Sequence, residues 1–335
     1  MAETGLRPVS TCLYRMPVII ICVFCPHLPL CYICITNYPV MKKTLLWLIP
    51  LMFIVLSCGS PSVKDGGRVI TVSIPPLAYF VEVVAGDEFK VNIMLPPGAD
   101  HHIWEPLPAQ INALAGSEAF IINGQLGFEQ AWMGRFREIN PEMKILDLSH
   151  NIDLIELHES EEEDDNNSHN GHLHGGPDPH YWMSPVSAYV IAEDVAKFLT
   201  ELNPSSAQKY ETGLMALQKK IAGVDSILRE ELSGAPSTTF LIYHPALEYM
   251  ARDYGLEQIS FEDEGKSPSP ARMKELIDLA RDKGISIIFI QAEYDLRNAE
   301  SLAGETGAEL VVINPMNRDW PAAVLEVGKA IEKRP

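Results

Sequence analysis

From Arg68 to its C-terminus the chain alternates short β-rich runs with longer helical stretches, and it does so twice. The first four runs fall at residues 69–74 (VITVSI), 91–95 (VNIML), 119–123 (AFIIN) and 145–148. The second four fall at 239–243 (TFLIY), 257–261 (EQISF), 286–291 (SIIFIQ) and 309–314 (ELVVIN). Strands separated by helical stretches pair in parallel beneath covering helices, so the pattern predicts an α/β fold. Because the design repeats, two similar lobes are implied.

Between the two series lies one long amphipathic stretch. Asn203 can cap it, Pro204 can start it, and Tyr210, Leu214, Leu217, Ile221, Val224 and Leu228 recur at spacings of four and three. Gly234 offers a stop. A helix over 204–232 would be about 43 Å long at 1.5 Å per residue, enough to run the height of both lobes. So rigid a connection predicts modest lobe movement rather than wide closure.

The first 58 residues are of a different kind. All six cysteines lie there, at 12, 22, 25, 31, 34 and 58, so the folded body needs neither a disulfide framework nor a thiolate metal site. Met41 to Ser57 reads as a secretory signal: two lysines, an apolar run too short for a typical membrane span, then the lipobox-like Val55, Leu56, Ser57 before Cys58. Lipidation of Cys58 would tether the mature protein to a membrane on the extracytoplasmic side. Residues 1–40 precede this complete signal and are expected to be an over-extended start. The expected organisation is a signal at 41–57, a tether at 58–67, an N-terminal metal-binding lobe at 68–202, a linking helix at 203–234 and a C-terminal lobe at 235–335.

With 26 basic against 45 acidic residues the net charge is −19, which argues against nucleic acid and suits a cation as partner. Residues 157–178 (LHESEEEDDNNSHNGHLHGGPD) are nearly devoid of apolar side chains and read as a mobile loop. Its His158, His169, His172 and His174 are either a weak auxiliary zinc-collecting site or a tolerated surface insertion.

Outside that loop, His101 and His102 follow the turn LPPGAD, His180 lies in DPHYWMSP, and His244 ends the run FLIYH. Ligands gather at such strand ends and loops in parallel sheets. Neutral imidazole is the commonest metal ligand, and three nitrogens with one oxygen suit tetrahedral zinc. Glu105 and Asp178 are candidates to orient the rings.

These motifs resemble those of the substrate-binding lipoproteins of metal-ion ABC importers. VSIPPLAYF with LPPGADHHIWEPLP, then DPHYWMSP, then IYHPALEYMARDYGL, occur in the family's order, and the similarity runs over roughly residues 69–330. The resemblance implies His102, the second of the pair, with His180 and His244 as ligands. It also implies two lobes, each with a four-stranded parallel sheet and surrounding helices, joined by one long linking helix, with the metal between them. Histidine at 244, where manganese-type members carry Glu, implies zinc, with manganese as the alternative; softer nitrogen donors agree. The family's fourth ligand is often an Asp where this chain has Asn314, so the fourth place could fall to Asn314, Glu264, Asp319 or water. The implied role is capture of Zn2+ by a monomer and delivery to an ABC permease driven by a separate cytoplasmic ATPase. A surface adhesin is a rival reading. A zinc hydrolase is disfavoured, since there is no H-E-x-x-H motif and GKSPS lacks the spacing of a phosphate-binding loop.

Overall fold

The computed structural model describes residues 67–156, 176–233, 237–262 and 267–332. Cys58 and the signal, the histidines at 158, 169, 172 and 174, Gly234 and Glu264 lie outside the described residues.

The first sheet contains β1 (Val69–Val72), β2 (Lys90–Ile93), β3 (Ala119–Ile122) and β4 (Lys144–Asp147), in the spatial order β2-β1-β3-β4. The second contains β5 (Thr239–Ile242), β6 (Glu257–Ser260), β7 (Ile287–Gln291) and β8 (Glu309–Ile313), in the order β6-β5-β7-β8. Every pairing is parallel, and the two sheets have one topology. Both contain the four strands expected. The interior strands β3, β5 and β7 are buried along their whole length, whereas β2, β4 and β6 on the edges are only partly covered. That is why the interior strands read as unbroken apolar runs and the edge strands do not.

The helices are α1 (Pro75–Ala85), α2 (Pro108–Ala115), α3 (Gly127–Ile139), α4 (Pro185–Leu202), α5 (Ala207–Ser233), α6 (Glu248–Tyr254), α7 (Pro270–Asp282), α8 (Arg297–Thr306) and α9 (Trp320–Glu332). Proline stands in the first turn of α1, α2, α4 and α7, where its missing N–H is no loss. The long α5, preceded by a short 3-10 turn at Pro204–Ser206, buries Tyr210, Leu217, Ile221, Val224, Leu228 and Leu232. With this one stripe it packs on α1 and α4 of the first lobe and on α9 of the second. Among the described residues no helix is long and apolar enough to cross a membrane.

One hydrophobic core spans both lobes. Phe240, Ile242 and Phe289, from one face of the second sheet, join the core that holds Val72, Phe120 and Trp182. Leu241, Tyr243, Ile288 and Ile290, on the opposite face, pack in a separate cluster with α7 and α8 residues such as Leu276 and Leu302. The lobes are also cross-braced through buried indoles: Trp182 Nε1 donates to Pro315 O at 3.0 Å, and Trp320 Nε1 donates to Trp182 O at 2.6 Å. Arg318 and Glu82 close an ion pair from one lobe to the other.

The end of the acidic loop departs from expectation. Loop character was expected through residue 178, yet Pro177 bridges Glu156 and Asp178 N donates to Ile155 O at 2.8 Å. Asp178 is buried, and the backbone pairing that holds it is invisible to a reading based on composition.

Candidate metal centre

Each candidate histidine is placed by a backbone feature at the C-terminal ends of the strands, where chains diverge and leave a crevice. After β2 the chain turns at Gly98 (φ 75°), and the Asp100 carboxylate accepts from His102 N at 2.9 Å. Trp104 packs edge-on against Phe128 at 4.9 Å and pins the far side of this turn. His180 opens a 3-10 turn (His180–Met183), after which the Ser184 hydroxyl caps α4 by accepting from Val186 N. His244 directly follows Tyr243, whose N donates to Phe289 O and whose O accepts from Glu262 N just beyond β5.

Four imidazoles converge from these places. His101 Nε2 lies 2.9 Å from His180 Nε2, and His102 Nε2 lies 2.8 Å from His244 Nε2. One ring nitrogen from each of the four lies within 4.8 Å of the others. Four nitrogens around zinc at about 2.05 Å stand about 3.3 Å apart, so on coordination the two close pairs would open by about 0.5 Å and the wider separations close by up to about 1.5 Å. His101 (3% exposed), His180 (2%) and His244 (8%) are buried, whereas His102 is exposed.

Carboxylates orient two of the rings. Asp178 Oδ1 accepts from His180 Nδ1 at 2.7 Å, and Glu262 Oε1 accepts from His244 Nδ1 at 2.8 Å. Each bond puts the proton on Nδ1 and leaves the Nε2 lone pair facing the cluster, the tautomer a metal needs. Burial, with its histidine neighbours, holds His101 well below the ordinary imidazole range; burial also lowers His180, against the pull of Asp178. His101 and His180 are therefore neutral donors at neutral pH.

The structure brings His102, His180 and His244 together as expected and adds His101. His101, the first of the His-His dipeptide, brings a fourth ring nitrogen into the cluster, beside the places considered for an oxygen donor. Asn314 instead accepts from Met316 N at 3.0 Å and lines a cavity of about 470 Å3 that none of the four histidines touches. The Asp319 side chain accepts from Ala322 N at the start of α9. Asp178 orients a ring as anticipated, but Glu105 is exposed, and Glu262 takes the other orienting role.

Beneath the His180 turn sits a buried carboxylate, Glu129. It accepts from Asn123 N at 2.8 Å, Gly124 N at 2.6 Å and Leu126 N at 3.3 Å. Glu129→Ala would leave Gly124 N and Leu126 N unpaired, while Asn123 N keeps the Ser73 hydroxyl at 3.1 Å, and a loss of about 3 kcal/mol is expected in urea unfolding. Burial pushes the Glu129 carboxyl up to about 7. A carboxyl raised in the folded state favours folding below its unfolded pKa, and that contribution is lost as pH rises through 7. Relative to Glu129→Gln, the unsubstituted chain should lose up to about 3 kcal/mol of stability between pH 5 and pH 8. A constant difference across that range would contradict this.

Comparison with known proteins agrees with this architecture. Residues 70–324 match the family described as zinc-uptake complex component A, periplasmic (ZnuA). The chain belongs to the ZnuA family. The zinc-binding lipoprotein AdcA of Streptococcus pneumoniae is 28% identical over 281 residues, which cover 82% of this chain and 56% of AdcA; the chain thus spans just over half that relative's length. The high-affinity zinc uptake system protein ZnuA of Bacillus subtilis is 26% identical over 279 residues, covering 78% of this chain and 85% of that protein. A crystal structure of a ZnuA superposes with a TM-score of 0.72 at 33% identity, covering 80% of this chain and 98% of the other. A zinc-bound ZnuA deletion mutant superposes with a TM-score of 0.71, also at 33% identity, covering 81% of this chain and all of that one.

Proposed function

We infer that this chain is an extracytoplasmic zinc-capturing protein, which binds one Zn2+ through His101, His102, His180 and His244 and hands it to the permease of an ABC importer. One observation carries the reading: four imidazole nitrogens, three of them on buried rings, stand within 4.8 Å of one another in the crevice between the lobes. An all-nitrogen set favours zinc over manganese, which prefers oxygen donors. The names of the relatives, a zinc-binding lipoprotein and a high-affinity zinc uptake protein, support the same metal. The chemistry is capture and release without covalent change. Lipid on Cys58 would hold the monomer at the outer face of a membrane, and an ATPase on a separate chain would drive transport.

The test is competition against a chromophoric chelator. One zinc per chain is expected, with manganese bound far more weakly. Protons compete for the same nitrogens, and because burial lowers His101 and His180, zinc affinity should stay level from pH 8 to about 6.5 and fall only below it. Manganese binding as tight as zinc binding would refute the assignment.

A further inference from the structure

The two sheets share one strand order, so positions in one lobe have counterparts in the other. Ser73 N donates to Ile121 O, and Tyr243 N donates to Phe289 O, in the same place at the ends of the two central ladders. Counting two residues on from each acceptor reaches Asn123 in the first lobe and Gln291 in the second. Both are carboxamides, 0% and 1% exposed.

Each holds backbone at, or directly before, a histidine of the cluster. Gln291 Nε2 donates to His244 O at 2.7 Å, and its Oε1 accepts from His244 N at 3.4 Å. Asn123 Nδ2 donates to Pro179 O, the carbonyl joined directly to His180, at 2.9 Å. Tyr181 returns the contact, its hydroxyl donating to Asn123 O at 2.6 Å. The parallel chains have diverged by this point, and a buried peptide group without a partner is costly. A carboxamide answers with a donor and an acceptor and adds no charge beside the cation site. A carboxylate of the same shape has no donor for either carbonyl.

We propose that Asn123 and Gln291 are twin positioning residues, which set the placement of His180 and His244, one from each lobe, for tetrahedral coordination. The proposal rests on the zinc reading above. Neither amide is among the clustered groups, so Gln291 acts through the backbone of His244 and Asn123 through the Pro179 carbonyl that precedes His180. Their matched places explain how two lobes with different loops present rings to one point.

The experiment uses the full chain carrying Gln291→Glu or Asn123→Asp, and the apolar variants Gln291→Met and Asn123→Leu should the acidic ones not fold. Zinc affinity is read by chelator competition, ligand geometry by the d–d absorption of the cobalt(II)-loaded protein, and folding by thermal melting without metal. Loss of a group that orients a metal ligand lowers affinity about 10- to 100-fold, and this is expected of each variant, with altered cobalt bands. Folded variants that bind zinc within about threefold of the unsubstituted chain and keep its cobalt spectrum would overturn the proposal. An unsubstituted chain that binds no zinc would overturn the reading beneath it, and the proposal with it.

Discussion

His180→Ala is expected to lower zinc affinity about 1000-fold, equivalent to about 4 kcal/mol. Three observations make it the most damaging change at the site. The ring is buried at 2% exposure, its Nε2 stands 2.9 Å from that of His101, and its Nδ1 is held by Asp178. Truncation removes a pre-oriented donor and takes from a buried carboxylate its imidazole partner, leaving it only the His180 backbone N–H. His102→Ala should cost less, about 10- to 100-fold, because that ring is exposed and water can take its place. Chelator competition on the two variants checks the order. Equal affinities for His180→Ala and the unsubstituted chain would remove the centre altogether.

The largest expected effect on stability lies far from the metal. Gly213→Ala places a methyl group where α5 crosses α1, 2.2 Å from the Val84 carbonyl oxygen and 2.7 Å from the Val84 Cα. Both are backbone atoms and cannot move aside by changing rotamer. Overpacking costs about 1–3 kcal/mol where side chains can adjust, and here the helices must separate. A net loss of at least about 3 kcal/mol in urea unfolding is therefore expected, even after the gain of about 1 kcal/mol from replacing glycine within a helix. Gly223 supplies the control, since it lies on the same helix with nothing within 4 Å of its added Cβ. Gly223→Ala should stabilise by about 0.5–1 kcal/mol. If both substitutions stabilise the protein, the close approach of α5 to α1 is wrong.

The eight strands and the long helix could be read from the chain because burial follows local periodicity. The TFLI and IIFIQ runs are continuously apolar because both faces of those strands are covered. The stripe from Tyr210 to Leu232 recurs at helical spacing because only one side of α5 meets the lobes. His180 and His244 stood out through their places in a loop and at a strand end, and through motifs shared with a known family.

The choice of neighbours was not readable in that way. His101 and His180 are 79 positions apart, and His102 and His244 are 142 apart. Glu262 and Gln291 reach His244 from 18 and 47 residues downstream, where local sequence distinguishes them little from other polar residues at strand ends. By itself the sequence determined the elements and their parallel arrangement, since each residue's preference for burial is written into its local pattern, while His102, His180 and His244 were singled out through motifs shared with a family. Only the tertiary structure decided that His101 joins them and which carboxylates and amides hold the rings in place. Those contacts exist only once the strands are ordered within their sheets and the two sheets are closed on one core.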